Sequence, residues 1–154
     1  MVSFAKILLP IDVEGEAGPI LDYGIALARA FGSRVDLVHV FEREGYHGPR
    51  TIELDGEGIA QPAAEIVGWQ SARSLALLMS KVRLAGVGSV RGLLSRGPAE
   101  EAVLELVRKE RYDLVVMGTH GYRGLSRMVL GSVAEKVVRD CACPVLTVHV
   151  PIGR

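Results

Sequence analysis

The sequence predicts an α/β fold: an open, twisted parallel sheet of five strands with helices on both faces. Three observations predict it. Five short apolar runs alternate along the chain with segments of helical periodicity. The runs are continuous rather than alternating in hydropathy, as strands buried on both faces require. Each connection between them holds enough chain for the crossover that parallel pairing needs.

The first run spans 6–11 and stops at Asp12. Gly15 and Gly18 mark a loop, and Pro19 fits a first helical turn, where its missing N–H costs nothing. Ile20, Gly24, Leu27 and Phe31 then recur at helical spacing, and Gly32 supplies the stop. The second run, 34–41, is rich in β-favouring Val and Phe. From Glu42 to Gln61 periodicity vanishes among Gly45, Gly48, Pro49, Gly56 and Gly58, which reads as a functional flap or a mobile loop. Pro62 opens a long helix to about Leu84, with Ala72, Leu75, Met79 and Val82 as its buried stripe. Trp69 beside that stripe reads as packing or a partner contact. Gly86 and Gly88 end the helix, and 90–95 form the third strand. Gly97-Pro98 starts a helix with Glu100 and Glu101 in its first turn, where the dipole favours them. Ala102, Val103, Leu106 and Val107 face inward. The fourth strand is 114–117; a helix then runs to about Arg139, and 144–149 make the fifth strand.

The length suits a single domain over 1–154. Apolar and charged shares of 49% and 23% are those of a soluble globular protein. Lys plus Arg and Asp plus Glu number 18 each, so broad electrostatic binding to nucleic acid is not expected. No apolar run approaches the ~18 residues of a membrane span. Acidic residues follow the first apolar patch with no cleavage pattern, so a cytoplasmic protein is expected. Cys141 and Cys143 cannot by themselves complete a four-ligand zinc site, and a disulfide so local is strained. They read as two small apolar residues at the end of a helix.

The stretch from Gly118 to Val133 carries the chemistry. It joins the fourth strand to a helix and holds Gly118, Gly121, Gly124 and Gly131, with His120, Arg123 and Arg127 between them. Glycine lets backbone approach a ligand closely, and a helix N-terminus offers free N–H groups to an anion. Four glycines could also mean only a tight loop. The spacing is neither a dinucleotide fingerprint nor a Walker A motif. Ser132 and Glu135 read as a capping box, which would compete with phosphate for the Ser132 hydroxyl. Asp12 caps the next helix, lies in solvent, or accepts hydrogen bonds from a ribose at a strand end. Glu14 and Glu16 would repel phosphates unless a divalent cation, Mg2+ or Mn2+, lies between them; two solvated loop charges are the plainer reading. His120 donates to a phosphate or is a generic loop histidine. His39, inside a strand, reads as packed rather than catalytic. No Gly-x-Ser-x-Gly elbow and no Ser/His/Asp constellation is recognisable, so no catalytic set is assigned.

Gly118-x-x-Gly121, then nine residues, then Gly131-Ser132 resembles the ATP-binding signature of universal stress proteins. The resemblance spans nearly the whole chain, through the first strand ending at Asp12, Leu37-Val-His-Val40, Gly97-Pro98, the segment 113–121 and the segment 143–148. It implies a Rossmann-like sheet, of the adenine-nucleotide α-hydrolase-like kind, with strand order 3-2-1-4-5. It also implies that Pro10, Ile11 and Asp12 line the nucleoside, with Asp12 on the ribose and the Val40 backbone on the adenine edge. Met117 and Gly118 would flank the ribose and α-phosphate. Thr119, His120 and Gly121 would lie along the phosphates, and Gly131, Ser132 and Val133 would bind them. The resemblance further implies a homodimer joined through the last strand, between Val145 and Val150. Universal stress proteins often have a small residue or Ser soon after the first-strand Asp, where this chain has Val13-Glu-Gly-Glu16.

The resulting expectation is an ATP-binding regulatory protein of the stress response, whose nucleotide occupancy modulates a regulatory protein partner. The alternative is a slow ATPase or phosphotransferase using the same site. A phosphoreceiver is disfavoured, because the third strand ends in Leu94-Ser95 and the fifth has no lysine.

Overall fold

The computed structural model describes residues 1–54, 61–119 and 130–150. In chain order the elements are β1 (Lys6–Pro10), α1 (Gly18–Phe31), β2 (Arg34–Phe41), β3 (Thr51–Leu54) and α2 (Gln61–Leu84). There follow β4 (Val90–Arg96), α3 (Ala99–Glu110), β5 (Leu114–Gly118), α4 (Ser132–Asp140) and β6 (Val145–Val148). One sheet holds all six strands in the order β3-β4-β2-β1-β5-β6.

Five of these strands are parallel, and they are the five that the sequence predicts, in the predicted order. The sixth, β3, is a correction. It lies in the segment expected to lack regular structure and pairs antiparallel with the outer edge of β4, Thr51 opposite Ser95 and Leu54 opposite Gly92. Four residues are too few for a periodic signal to show. Tertiary contacts hold the strand instead: Leu54 is buried, and the Thr51 and Ser95 hydroxyl oxygens are 3.0 Å apart. The sheet is therefore mixed.

Both faces are covered. Ile7, Leu9, Val35 and Leu37 pack on one side with Ile20 and Leu21 of α1 and Ala72, Leu75, Met79 and Val82 of α2. Leu8, Val38, Leu93 and Val115 pack on the other with Val103, Leu106 and Val107 of α3 and Ala134 and Val137 of α4. Consecutive residues of β1 thus serve opposite cores, which is why the run has no polar alternation. Gly32 ends α1 in the left-handed region, at φ 67°, with its amide on the Ala28 carbonyl, as predicted.

The second helix differs from the expected single rod. Gly68 interrupts it with φ 82° and ψ 155°, a region open essentially to glycine alone. The break strips intrahelical donors from the carbonyls before it. The Arg43 guanidinium meets those of Glu65 and Ile66. Trp69, just past the break, is exposed.

At the amino ends of the strands sits a charged cluster. Asp36 is fully buried and accepts hydrogen bonds from Arg34 and Arg91, both at 2.8 Å, and from the Tyr112 hydroxyl. Arg91 also reaches Glu53 of β3 and Glu110 of α3. Burial pushes the Tyr112 hydroxyl up, and its bond to Asp36 adds to the rise. Burial would pull Arg91 down, but its bonds to Asp36 and Tyr112 carry it up, so it stays charged.

Candidate functional site

The central pair β1 and β5 sets the site. Leu8 pairs with Val115, so Asp12 and Thr119, each four residues further on, lie level at the carboxyl ends of the two strands. On the other side Pro10 pairs with Val38, so Asp12 and Val40, each two residues on, are level too. Three predicted site positions therefore reach one rim of the sheet because of register alone. It is the rim where parallel α/β sheets bind ligands.

Each position has its own anchor. Pro10 closes β1, half-buried, and the buried Ile11 donates its amide to the Val38 carbonyl at 2.9 Å. Asp12 is exposed, and its Oδ1 accepts the Glu14 amide at 3.0 Å while its carbonyl accepts that of Gly15 at 3.0 Å. This turn leaves the second carboxylate oxygen outward. Asp12 does not cap α1, whose N-cap is Ala17 with no side-chain bond. Val40, partly buried, packs with Met117 and Val133 in the core under α3 and α4.

Two halves of the glycine stretch meet. Gly118 ends β5, and Thr119 donates its amide to the Val148 carbonyl at 3.0 Å. Gly131 donates its amide back to the Thr119 carbonyl at 2.7 Å. Residues twelve apart in sequence are thereby joined at the rim. His120 and Gly121 lie outside the described residues.

The capping box is a correction. Gly131 is the N-cap of α4, Ser132 is the first helical residue, and no side chain caps the helix. The first intrahelical bond runs from the Glu135 amide to the Gly131 carbonyl. The amides of Ser132, Val133 and Ala134 therefore have no intrahelical acceptor. With an exposed hydroxyl on Ser132, they form a donor set at the positive end of a helix, suited to an anion.

Two residues here were not assigned to the site from sequence. His39 faces the Asp12 turn, its Nδ1 3.4 Å from the Ile11 carbonyl oxygen. Burial holds its pKa below the ordinary value, against upward pulls from the Ile11 carbonyl and the Asp12 and Glu14 charges. Gly97 donates its amide to the Phe41 carbonyl at 3.0 Å, and a Cβ there would strike the Val40 side chain. The Gly97-Pro98 pair was legible as a helix start; that Gly97 also fits against Val40 needed the register of β2 on β4.

The loop after β2 borders the same rim. Tyr46 packs edge-on against Phe41 at 5.2 Å, and Arg96 donates to the Tyr46 carbonyl at 3.1 Å. Arg50 pairs with Glu105 of α3. Within the segment expected to form a flap or mobile loop, residues 42–54 are thus braced against α2, α3 and β4, and residues 55–60 lie outside the described residues. Among the described residues no group of three or more His, Cys, Asp or Glu could hold a metal ion, and no helix is long and apolar enough to cross a membrane.

Comparison with known proteins agrees with this geometry. Residues 3–149 match the model of the universal stress protein family. A universal stress protein of Methanocaldococcus jannaschii is 31% identical over 148 residues, covering 96% of this chain and 84% of the relative. One from Thermus aquaticus is 32% identical over 147 residues, covering 95% and 99%. Among solved structures, UspA of Lactobacillus plantarum superposes with a TM-score of 0.74 at 18% identity, covering 96% of this chain and 99% of that one. A universal stress protein in complex with cAMP gives 0.68 at 18% identity, covering 97% and 100%. The Archaeoglobus fulgidus protein in complex with dAMP gives 0.65 at 16% identity, covering 96% and 99%. Strand order, the donor set at α4 and the sequence match lead to one assignment: the chain belongs to the universal stress protein family.

Proposed function

We propose that this chain is an ATP-binding regulator, a nucleotide-binding protein of the stress response whose occupancy modulates a protein partner. The observation that carries the reading is the Gly131–Thr119 bond. It ties the uncapped N-terminus of α4 to the end of β5, the strand that pairs with β1, whose chain runs on to Asp12. The two related structures in complex with cAMP and dAMP support an adenine nucleotide as the ligand class.

In this reading the amides of Ser132, Val133 and Ala134 and the Ser132 hydroxyl take the phosphates. The outward oxygen of Asp12 takes the ribose hydroxyls, and the Val40 backbone takes the base edge. Thr119, Met117 and Gly118 line the wall between them, with His120 and Gly121 assigned to the phosphates by resemblance. Mg2+ or Mn2+ would draw most of its ligands from phosphate oxygens and water, as hard cations bound with nucleotides do. Two copies would join through β6, the last strand of the sheet, whose outer edge pairs with no strand among the described residues. The protein is assigned to the cytoplasm.

Calorimetric titration with ATP, alongside native mass spectrometry, tests the proposal. One ATP per chain on a dimer is the expected result. Saturating ATP that leaves the heat signal flat and the spectrum free of nucleotide would overturn it.

A further inference from the structure

We propose that the outward face of α2, from Trp69 to Leu84, is a docking surface for the anionic headgroup layer of a phospholipid bilayer. The inward stripe of this helix, Ala72, Leu75, Met79 and Val82, packs on the core. In a helix that meets only water, the opposite side is polar. Here Trp69, Leu77 and Leu84 stand 64%, 62% and 89% exposed on it. At about 3.6 residues per turn, these three and the exposed cations Arg73 and Lys81 fall within roughly 120° of arc, along on the order of 22 Å of helix.

The charge of this face is one-sided. From Ile66 to Ala99 the chain has no Asp or Glu. Among the described residues, neither Arg73 nor Lys81 is paired with a carboxylate. A third cation borders them: a Cβ on Gly86, just past the end of α2, would lie 3.9 Å from Arg29 Nε of α1. The acids of α1 and α2 are Asp22 and Glu65, both near the starts of their helices, and Glu65 precedes the Gly68 break. The helices on the other side of the sheet lean the opposite way. α3 and α4 carry more acids than cations, and Val138 is their one exposed large apolar side chain. With the chain neutral as a whole, its helices thus divide into a basic, apolar side and an acidic one.

The occupant follows from this chemistry. The apolar side chains stand on one convex helix with cations between them, so the face is a ridge and not a groove. Tryptophan favours the bilayer interface, leucine reaches the acyl boundary, and Lys and Arg meet lipid phosphates. A leaflet of anionic lipids attracts each such cation, and the attraction falls off within a Debye length, so binding is salt-sensitive. A second copy set on this face by a twofold axis would place Arg73 and Lys81 against the same cations, with no acid of the face between them. The contact is peripheral: α2 keeps its inner stripe on the core, and side chains alone enter the headgroup layer. It lies on a helix face, away from the Gly131–Thr119 bond at the rim, so it stands independently of the nucleotide reading.

Trp69 is the chain's single tryptophan, so its fluorescence reports this face directly. The test adds vesicles to the full-length protein at low salt, either of phosphatidylcholine alone or mixed with phosphatidylglycerol in equal parts. Expected are a blue shift of Trp69 emission and co-sedimentation with the anionic vesicles, both lost at high salt and absent with phosphatidylcholine alone. The double variant Arg73→Glu/Lys81→Glu should bind at least tenfold more weakly, and Leu77→Ser should also weaken binding. Melting curves check that the variants are folded; where glutamate lowers the melting point, glutamine at the same positions replaces it. Unshifted emission with anionic vesicles at low salt would overturn the proposal, as would equal binding to both vesicle types or a folded double variant that binds like the parent. An equal shift with soluble polyglutamate would overturn it in favour of an acidic protein, and a concentration-dependent shift without lipid in favour of a second copy.

Discussion

The Gly131 amide donates to the Thr119 carbonyl oxygen at 2.7 Å, and this one bond closes the excursion between β5 and α4. Gly131 sits at φ −60°, an angle proline also adopts. Gly131→Pro therefore removes the donor and pushes its acceptor away while keeping the local backbone angle. ATP affinity is expected to fall at least tenfold, or about 1.4 kcal/mol, alongside a stability loss of about 1 kcal/mol for the missing hydrogen bond. Calorimetric titration of parent and variant measures it.

Ser132 separates phosphate binding from helix capping. It is exposed and makes no cap bond. Ser132→Ala should change folding stability by no more than about 0.5 kcal/mol, the range for surface substitutions. Its loss of ATP affinity should be larger, about 1 kcal/mol for one hydrogen bond. Paired urea unfolding and nucleotide titration decide it; a stability loss with unchanged affinity would restore the capping role.

Arg91 is a chief partner of a carboxylate with no exposure at all. Arg91→Met leaves Asp36 to Arg34 and Tyr112 and should cost about 1.5–3 kcal/mol of stability, because a buried carboxylate loses one charge-assisted hydrogen bond. Asp36→Asn in the same background should recover part of that loss. Urea denaturation of the parent and the two variants provides the comparison, with ATP binding as the control, since the cluster lies at the opposite end of the sheet.

His39 gives the fold a pH dependence with a defined sign. Burial lowers its folded pKa beneath the ordinary 6.5. Between those two values the unfolded chain binds more protons, so stability falls as pH drops below about 6.5 and is unaffected above it. His39→Gln should flatten this part of the stability–pH curve. Chemical denaturation at half-unit steps from pH 7.5 to 5 would show the difference, and parallel curves for both proteins would refute it.

Gly68→Ala tests the break in α2. A side chain at φ 82° and ψ 155° is strained by about 1–3 kcal/mol, so the variant should be destabilised by that order. An unchanged or raised melting temperature would mean that the helix can straighten through residue 68.

The parallel core was legible because both faces of its strands are buried, leaving runs such as Ile7-Leu8-Leu9 with no polar interruption. The strand ends were legible as neighbours through the family resemblance, which implied the strand order that sets Asp12, Val40 and Thr119 along one rim. Three features were not. β3 is a four-residue edge strand specified by contacts with β4, not by its own pattern. Ser132 could be read as a cap or as a phosphate ligand, and only the position of Gly131 one residue earlier decides which group begins the helix. Asp36 looked like one polar residue in a strand; its partners Arg91 and Tyr112 are 55 and 76 residues away.

Arg43 holds the carbonyls exposed by the Gly68 break, Arg96 holds the Tyr46 carbonyl, and Arg50 holds Glu105. Residues 43–50, which continue from the end of β2, are thus tied to the body of the fold. If a base docks against them as proposed, these residues leave little to order on binding, which would favour affinity. In the proposed reading, discrimination among bases would then rest on the outline that residues 42–54 present.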